Sequence, residues 1–171
     1  NTTDFLSIAN AICPERDCIV FEGKRWTYSQ INDRTNQLAN ALSKKGIGRG
    51  DCIGVLHVNC NQYVETYFAT AKLGAIFVPL NFRAKADELA YMMGNGEVKV
   101  LFVGDRYLDL VNSVTPQLPK IREYVSIEGL SSKRLFHGGG YVQGSARRIS
   151  RHGPLLEPTL FPGRLPDRHR E

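Results

Sequence analysis

The chain has 171 residues, a formal net charge of +5, 42% hydrophobic residues and 23% charged residues. These values are typical of a globular domain and exclude collagen-like, mucin-like and acidic disordered chains. No apolar run approaches the roughly 20 residues that a transmembrane helix needs, and no signal segment opens the chain. We therefore expect a cytoplasmic protein without a transmembrane segment.

The net charge lies in one part of the chain. Residues 1–130 carry 14 basic and 14 acidic residues, whereas residues 131–171 carry 8 basic and 3 acidic ones. Arg, Gly, Pro and Ser make up 21 of those last 41 residues. Such a segment has too little apolar surface to offset its ordering entropy. We predict an incomplete α/β domain over residues 1–130 and a disordered basic tail over residues 131–171.

The first predicted elements are a β-hairpin and a helix. Residues 18–22 and 25–27 have strand composition and flank a Gly-Lys turn. Thr27 and Gln30 then have the spacing of a capping box, in which each side chain bonds the backbone amide of the other residue. Apolar residues follow at helical spacing, and Gly46 can adopt the left-handed conformation that closes a helix.

Four apolar runs, separated by helical patterns, follow the hairpin and the first helix. The runs occupy residues 52–58, 75–78, 98–103 and 124–127. Nearly continuous apolar runs are typical of parallel strands that are buried on both faces. Strands that alternate with helices form right-handed crossovers. We therefore predict an open, doubly wound, mostly parallel sheet with helices on both faces.

The intervening helices are predicted from their caps and apolar faces. Asn59 or Asn61 can cap the helix before Gly74, and Asp87 and Glu88 lie early in the next helix, where carboxylates favour the helix dipole. The inner face of the first of these helices is predicted to comprise Tyr63, Val64, Tyr67, Phe68 and Ala71. The inner face of the second is predicted to comprise Leu89, Met92 and Met93, and a third helix is predicted over residues 107–114.

Few side chains have the spacing that catalysis or metal binding requires. Cys13, Cys18, Cys52 and Cys60 form no C-x-x-C pair, and no metal site is expected; we predict reduced, partly buried thiols. His57 lies inside an apolar strand, which favours a hydrogen-bonded core residue over a catalyst. The three aromatic residues of the predicted inner face could form a stacking platform, but their helical spacing favours the core.

Two glycine-rich segments could in principle bind anions. Residues 46–51 follow a helix and precede a strand, the reverse of the order in a dinucleotide-binding loop, so we predict a helix stop and a turn. Residues 137–140 mimic an oxyanion loop, but the chain has no G-x-S-x-G nucleophile elbow. Arg147, Arg148 and Arg151 could contact phosphates. Without interleaved aromatic residues we expect a solvated tail and no nucleic-acid partner.

The chain resembles the N-terminal part of the AMP-forming acyl-CoA synthetases of the adenylate-forming superfamily. The resemblance covers about residues 4–128 and is strongest at residues 71–83, Ala-Lys-Leu-Gly-Ala-Ile-Phe-Val-Pro-Leu-Asn-Phe-Arg. The other matching segments are residues 27–31, Asn36, residues 42–51, residues 58–61, Glu65, residues 87–91 and residues 100–103. The tail has no resemblance to the family. Its composition is what translation in a wrong frame gives, a hypothesis that reading the encoding DNA in the other frames would test.

The resemblance implies a parent enzyme that binds ATP, Mg²⁺, CoA and a carboxylic acid and makes acyl-CoA through an acyl-adenylate. Family chains are several-fold longer. The phosphate-binding loop that ends in Pro-Lys-Gly, the Tyr-Gly-x-Thr-Glu stretch, the ribose-binding Asp and the C-terminal catalytic Lys are all absent here. We therefore expect a fragment that has no catalytic residues, holds no cofactor and is inactive on its own. Its uncovered face is expected to favour self-association.

One ligand role carries over from the resemblance. In some of these CoA ligases a basic residue after Pro-Leu-Asn faces the CoA nucleotide phosphate, and Arg83 occupies that position. The alternatives are an exposed Arg at a helix start and, for the whole chain, a stand-alone α/β module that binds CoA or a nucleotide without catalysis. The identity of the carboxylic acid does not follow from these residues.

Overall fold

The computed structural model describes residues 2–127 and the backbone of residues 148–149. The helices of these residues are α1 (Thr2–Ile12), α2 (Tyr28–Lys44), α3 (Asn61–Lys72), α4 (Ala86–Asn95) and α5 (Leu108–Val114). The strands are β1 (Asp17–Phe21), β2 (Lys24–Thr27), β3 (Cys52–Leu56), β4 (Ile76–Pro79), β5 (Val98–Val103), β6 (Glu123–Ser126) and β7 (Arg148–Ile149). Short 3₁₀ turns cover Asp105–Tyr107 and Thr115–Gln117.

The main sheet has the order β4-β3-β5-β6-β7, and its first four strands are parallel. Alternate side chains of each strand point to opposite faces. Phe102 of β5 packs in a cluster with residues of α2 and α3, whereas its neighbour Leu101 packs with residues of α4 and α5. The predicted open, doubly wound, mostly parallel sheet with helices on both faces is confirmed.

A short antiparallel strand extends the sheet beyond β6. In β7, Ile149 is aligned with Tyr124 and Arg148 with Val125. These two residues belong to the segment predicted to be a disordered tail, and the structure pairs them with the sheet. The rest of that prediction concerns residues 128–147 and 150–171, which lie outside the described part of the chain.

The hairpin and the start of α2 follow the sequence prediction closely. β1 and β2 pair antiparallel, and their turn consists of Glu22 and Gly23, both with positive φ, one residue earlier than the predicted Gly-Lys turn. Thr27 caps α2. Its hydroxyl accepts the N–H of Gln30 at 3.2 Å, and the Gln30 side-chain oxygen accepts the N–H of Thr27 at 3.0 Å. The predicted capping box is confirmed.

Helix α1 precedes the hairpin and was not predicted. Leu6 is its one buried residue and packs with Trp26 and Ile31, while Phe5, Ile8 and Ile12 are exposed. A helix whose apolar side chains mostly face solvent lacks the one-sided pattern from which buried helices are recognised. Its position against α2 and α3, with Leu6 beside Trp26 of the hairpin, is decided by tertiary packing.

The predicted inner face of α3 and its predicted cap are wrong. The buried residues of α3 are Asn61, Glu65, Thr66, Ala69 and Thr70, and Tyr67 of the predicted face is exposed. The N-cap is Cys60, whose sulfur accepts the N–H of Tyr63 at 3.4 Å, rather than Asn59 or Asn61. Polar residues can occupy the inner face because the hydroxyls of both threonines donate to carbonyls four residues earlier.

The buried glutamate is compensated by an ion pair between the two helices. Arg34 Nε of α2 lies 2.8 Å from Glu65 Oε1, and Asn61 Nδ2 donates to the same oxygen at 2.8 Å. The Glu65 side chain is fully buried, and that of Arg34 is 12% exposed. Removing one partner of a buried pair leaves an uncompensated charge in a low-dielectric environment, so this contact constrains how α2 and α3 pack.

Arg34→Ala should therefore lower the free energy of unfolding by about 3–5 kcal/mol, since Glu65 then keeps a buried charge without its guanidinium. Arg25→Ala is the matched control, because its pair with Asp17 has side chains that are 65% and 40% exposed. That control should change stability by less than about 1 kcal/mol. Urea unfolding followed by circular dichroism measures both; equal losses in the two variants would contradict the prediction.

Candidate functional site

The strand order identifies one position in the sheet where a ligand site is expected. From β3 the chain crosses to β4 on one side, and from β4 it crosses back over β3 to β5 on the other. In open α/β sheets, ligands bind outside the carboxyl ends of the strands where the order reverses in this way. The candidate site is therefore the carboxyl edge of the sheet between β3 and β5.

The imidazole of His57 fills the crevice between these two strand ends. His57 follows β3, is 5% exposed, and its Nδ1 lies 2.5 Å from the carbonyl oxygen of Val58. Because a carbonyl oxygen only accepts, Nδ1 carries the proton. The ring also meets Tyr107 edge-on, with 6.3 Å between the ring centroids. The structure thus agrees with the prediction of a hydrogen-bonded core histidine.

Gly104, which follows β5, is the residue that makes room for this imidazole. A Cβ atom added at Gly104 would lie 2.0 Å from Cδ2 of His57, far inside van der Waals contact. The sequence analysis did not single out Gly104. The sequence feature that could have identified Gly104 is its position directly after a buried strand, where a glycine often marks the close approach of another group.

The next pair of strand ends is tied together by a polar contact that sequence reasoning also missed. The hydroxyl of Ser126, at the end of β6, donates to Asp105 Oδ1 at 2.7 Å, and Ser126 is fully buried. Because Ser126 is closed to solvent, we assign its hydroxyl a structural role. This contact joins the end of β6 to the turn after β5.

Arg83 lies beyond the carboxyl end of β4, beside an open groove. Its N–H donates to Asn81 Oδ1 at 3.0 Å, and its exposed guanidinium lies 5.3 Å from the centre of the Phe82 ring. The groove has a volume of about 500 Å³ and is lined by Asn81, Ala84, Asp87, Glu88, Tyr91 and Met92. Two carboxylates on α4, those of Asp87 and Glu88, give the groove acidic character.

The glycine-rich loop before β3 is a helix stop and a turn, as predicted. Gly46 has a φ of 74°, and Ile47 N–H donates to the carbonyl of Leu42, which closes α2. The carboxylate of Asp51 accepts the N–H of Gly48 at 2.9 Å and forms an ion pair with Lys99. The hydrogen bond from Lys99 and that from Gly48 lower the pKa of Asp51 from its usual value. An internal carboxylate thus occupies the position that a bound anion would take.

The remaining candidates divide between the described and undescribed parts of the chain. All four cysteines are unpaired thiols; Cys60 is buried and the other three are half-buried, as predicted. Tyr63 and Tyr67 meet Phe77 of β4 edge-on at 5.4 and 5.3 Å, so these rings pack on an outer strand and not in the sheet's centre. Residues 137–140, Arg147 and Arg151 lie outside the described residues, as does the side chain of Arg148.

Within residues 2–127, no group of three or more His, Cys, Asp or Glu side chains could hold a metal ion. The two carboxylates at the groove therefore do not fit a dedicated Mg²⁺ site. Over the same residues, no helix combines the length and the apolar content needed to cross a bilayer.

The strand order and the four parallel strands define an open, doubly wound α/β unit. Comparison with family models makes the class specific. The model described as AMP-binding enzyme matches residues 7–145, and the chain belongs to this family. The match extends past residue 130, where the sequence predicts the boundary between domain and tail. That boundary stays a prediction.

The relatives of this chain are acyl-CoA ligases. It is 33% identical over 128 residues to a 3-oxocholest-4-en-26-oate–CoA ligase of Rhodococcus rhodochrous, which covers 75% of this chain and 23% of that relative. It is 39% identical over 115 residues to acyl-CoA ligase SID4 of Ajellomyces capsulatus, which covers 61% of this chain and 20% of that relative. The chain thus spans less than a quarter of the length of either relative.

Solved structures agree with this assignment. An anthranilate CoA ligase, AuaEII, in complex with anthranoyl-AMP superposes with a TM-score of 0.72 at 29% identity, covering 74% of this chain and 25% of the ligase. A fatty acyl-CoA synthetase of Mycobacterium tuberculosis also gives a TM-score of 0.72, over 88% of this chain and 34% of that protein. Its 21% identity supports the fold alone. The fold is that of the N-terminal subdomain of adenylate-forming ligases.

The contact of His57 with Gly104 makes a testable prediction. Gly104→Ala should lower the free energy of unfolding by about 1–3 kcal/mol, because the new methyl group overlaps the imidazole. His57→Ala in the same chain should recover part of this loss. Gly94→Ala is the control: nothing lies within 4 Å of its added Cβ, and as a helical position in α4 it should gain up to about 1 kcal/mol. Thermal unfolding followed by circular dichroism compares the three variants.

Proposed function

We propose that this chain is the N-terminal part of an ATP-dependent, AMP-forming acyl-CoA synthetase. The parent reaction joins a carboxylic acid to CoA through an acyl-adenylate and consumes ATP. The observation that carries the proposal is the family match over residues 7–145, in a chain whose sheet has the ligases' topology. Because the relatives are named for acids as different as a sterol-derived acid and an aromatic acid, we propose only that the substrate is a carboxylic acid.

We further propose that the 171-residue chain does not catalyse ligation by itself. Adenylate formation depends on preorganised positive groups around the transferring phosphates, whose electrostatic stabilisation is the largest contribution to such catalysis. The sequence holds no Thr/Ser/Gly-rich loop ending in Pro-Lys-Gly and no Tyr-Gly-x-Thr-Glu stretch. ATP and Mg²⁺ would be held by the parts of the longer relatives that this chain does not match.

The purified chain should therefore show no carboxylate-dependent exchange of radioactive pyrophosphate into ATP, in the presence of Mg²⁺ and a panel of fatty, aromatic and short-chain acids. Omission of the acid gives the background. A signal above that background, lost when the acid is omitted, would refute the proposed inactivity.

We propose that Arg83 contacts the nucleotide phosphate of CoA. Its guanidinium is exposed, its backbone is fixed by the bond to Asn81, and the Phe82 ring restricts its direction. A planar guanidinium can bind two phosphate oxygens at once. The acidic α4 residues beside it would keep the phosphate on the outer side of the groove.

Calorimetry tests this contact on the full chain. CoA should bind weakly to the unmodified chain, and Arg83→Ala should reduce the affinity about tenfold or more, as expected for loss of a charge-assisted contact. Arg106→Ala is the matched control, because Arg106 is also exposed and stacks over an aromatic ring, at Tyr107. Equal binding by both variants would exclude the assigned role of Arg83.

The second candidate is a stand-alone module that binds CoA or a nucleotide without catalysis. The groove beside α4 favours this module, since a protein that binds a ligand by itself needs a concave surface to hold it. The filled crevice at His57 opposes it, because the usual position of a nucleotide is occupied. Heat on adding ATP, retained in Arg83→Ala, would favour the module over the ligase fragment.

The chain's surface supports a proposal about association. Phe5, Ile12 and Tyr91 are at least 70% exposed, and Ile76 of the outer strand β4 is 51% exposed. Exposed apolar area of this kind favours association, so we propose non-specific self-association. The cytoplasmic location and the absence of a nucleic-acid partner stay predictions from the sequence. Light scattering that shows a monomer at all concentrations would contradict the self-association.

A further inference from the structure

Lys72 at the end of α3 is held by two asparagine side chains of α2. Its Nζ donates to Asn36 Oδ1 at 2.6 Å and to Asn32 Oδ1 at 3.0 Å. The two asparagines lie four residues apart and therefore on one face of α2. Lys72 is half-buried, so part of its side chain stays in contact with solvent. The fold thus fixes a lysine amine at one position where α2 meets α3.

Both acceptors of this amine are neutral amide oxygens, whereas several other lysines are paired with carboxylates. Ion pairs with acidic side chains are formed by Lys45, Lys99 and Lys120. Within residues 2–127, no carboxylate lies at ion-pair distance from the Lys72 amine. Glu65, about two helical turns earlier on α3, is already paired with Arg34. The Lys72 amine therefore lacks the kind of partner that holds a proton most strongly.

The surroundings also favour the neutral form of the amine. Burial lowers the pKa of Lys72, and the charge of Asp33 on α2 opposes that effect. The neutral form is the nucleophile, and it has two N–H groups and one lone pair. When both N–H groups are donated to Asn32 and Asn36, the tetrahedral nitrogen directs its lone pair away from α2. The amine is thus oriented for attack before a reagent arrives.

We propose that Lys72 is a site of N-acylation by acyl thioesters such as acetyl-CoA. The Lys72 nitrogen attacks the carbonyl carbon of the thioester, a C–N bond forms, and the C–S bond breaks as the thiolate leaves. The nitrogen loses one proton to solvent, and the thiolate takes up one proton from solvent. This proposal rests on the position of the amine and does not depend on the proposed ligase function.

Acylation would change the contact between α2 and α3. The product nitrogen belongs to an uncharged amide with a single N–H, so it can donate to Asn32 or to Asn36 but not to both. One asparagine oxygen then loses the partner that it has in the unmodified chain. The modification would therefore weaken the hydrogen bonding that joins the end of α3 to α2.

The experiment incubates the full chain with acetyl-CoA at neutral pH. The protein is then denatured, and every remaining amine is labelled with deuterated acetic anhydride. Trypsin cleaves only after arginine in such a chain, so Lys72 is the one lysine in the peptide of residues 50–83. The exposed Lys24 is the one lysine in the peptide of residues 17–25 and is the internal control. Mass spectrometry gives the ratio of light to heavy acetyl groups at each site.

We expect Lys72 to be acetylated at least about threefold faster than Lys24, because its amine is both oriented and more often neutral. In concentrated urea the two lysines should react at equal rates, since the contact between α2 and α3 is then lost. Equal rates in the folded chain, or a preference for Lys72 that persists in urea, would overturn the proposal.

Asn36→Asp tests the role of the neutral acceptors. It replaces the amide whose oxygen lies 2.6 Å from Lys72 Nζ with a carboxylate, which holds the amine protonated. Acetylation of Lys72 should fall about tenfold or more, while that of Lys24 stays unchanged. Asn95→Asp is the matched control, because it adds the same charge on α4, which covers the opposite face of the sheet. Unchanged acetylation of Lys72 in Asn36→Asp would overturn the proposal.

Discussion

The pairing of β3 with β5 at the centre of the main sheet is the constraint on which the rest of the structure depends. Ile53, Val55, Val100 and Phe102 are fully buried, and the residues between them face the opposite cluster. Helices cover both faces of these strands, α2 and α3 on one and α4 and α5 on the other, and the crossovers between parallel strands supply such helices. This pairing also aligns the carboxyl ends of β3 and β5, so the His57–Gly104 contact is a direct consequence of it.

Three polar side chains in this core are each compensated by a partner. Glu65 meets Arg34, Ser126 meets Asp105, and His57 donates to a neighbouring carbonyl. At the other edge of the sheet, β5 has a bulge at Lys99, and that residue pairs with Asp51 beside the glycine-rich loop. These contacts fix the packing of helices and loops on the sheet, because an uncompensated buried polar group would cost more than most single contacts contribute.

Membership of the AMP-binding enzyme family and the geometry of the carboxyl edge are compatible, but they support different conclusions. The family match concerns ancestry and fold, whereas the edge contains an imidazole in a core role, a hydroxyl bound to a carboxylate and an arginine beside an acidic groove. The proposed inactivity rests on the motifs that the family resemblance implies and that this sequence does not contain. Within the described residues, Arg83 is an exposed arginine that lies beside the acidic groove.

The sequence by itself determined most of the secondary structure and the family, because both depend on local residue patterns. Apolar runs and capping residues predicted the four parallel strands, the Thr27 capping box and the turn after Gly46. The segment of residues 71–83 carried most of the resemblance to the family. Patterning failed where burial is decided by distant partners. The inner face of α3 carries Glu65, whose burial is compensated by Arg34 of another helix. Helix α1 was missed because most of its apolar residues are exposed, so its sequence has no one-sided apolar pattern. The approach of His57 to Gly104 joins two segments that are far apart in the sequence, and only the tertiary structure decides which segments meet.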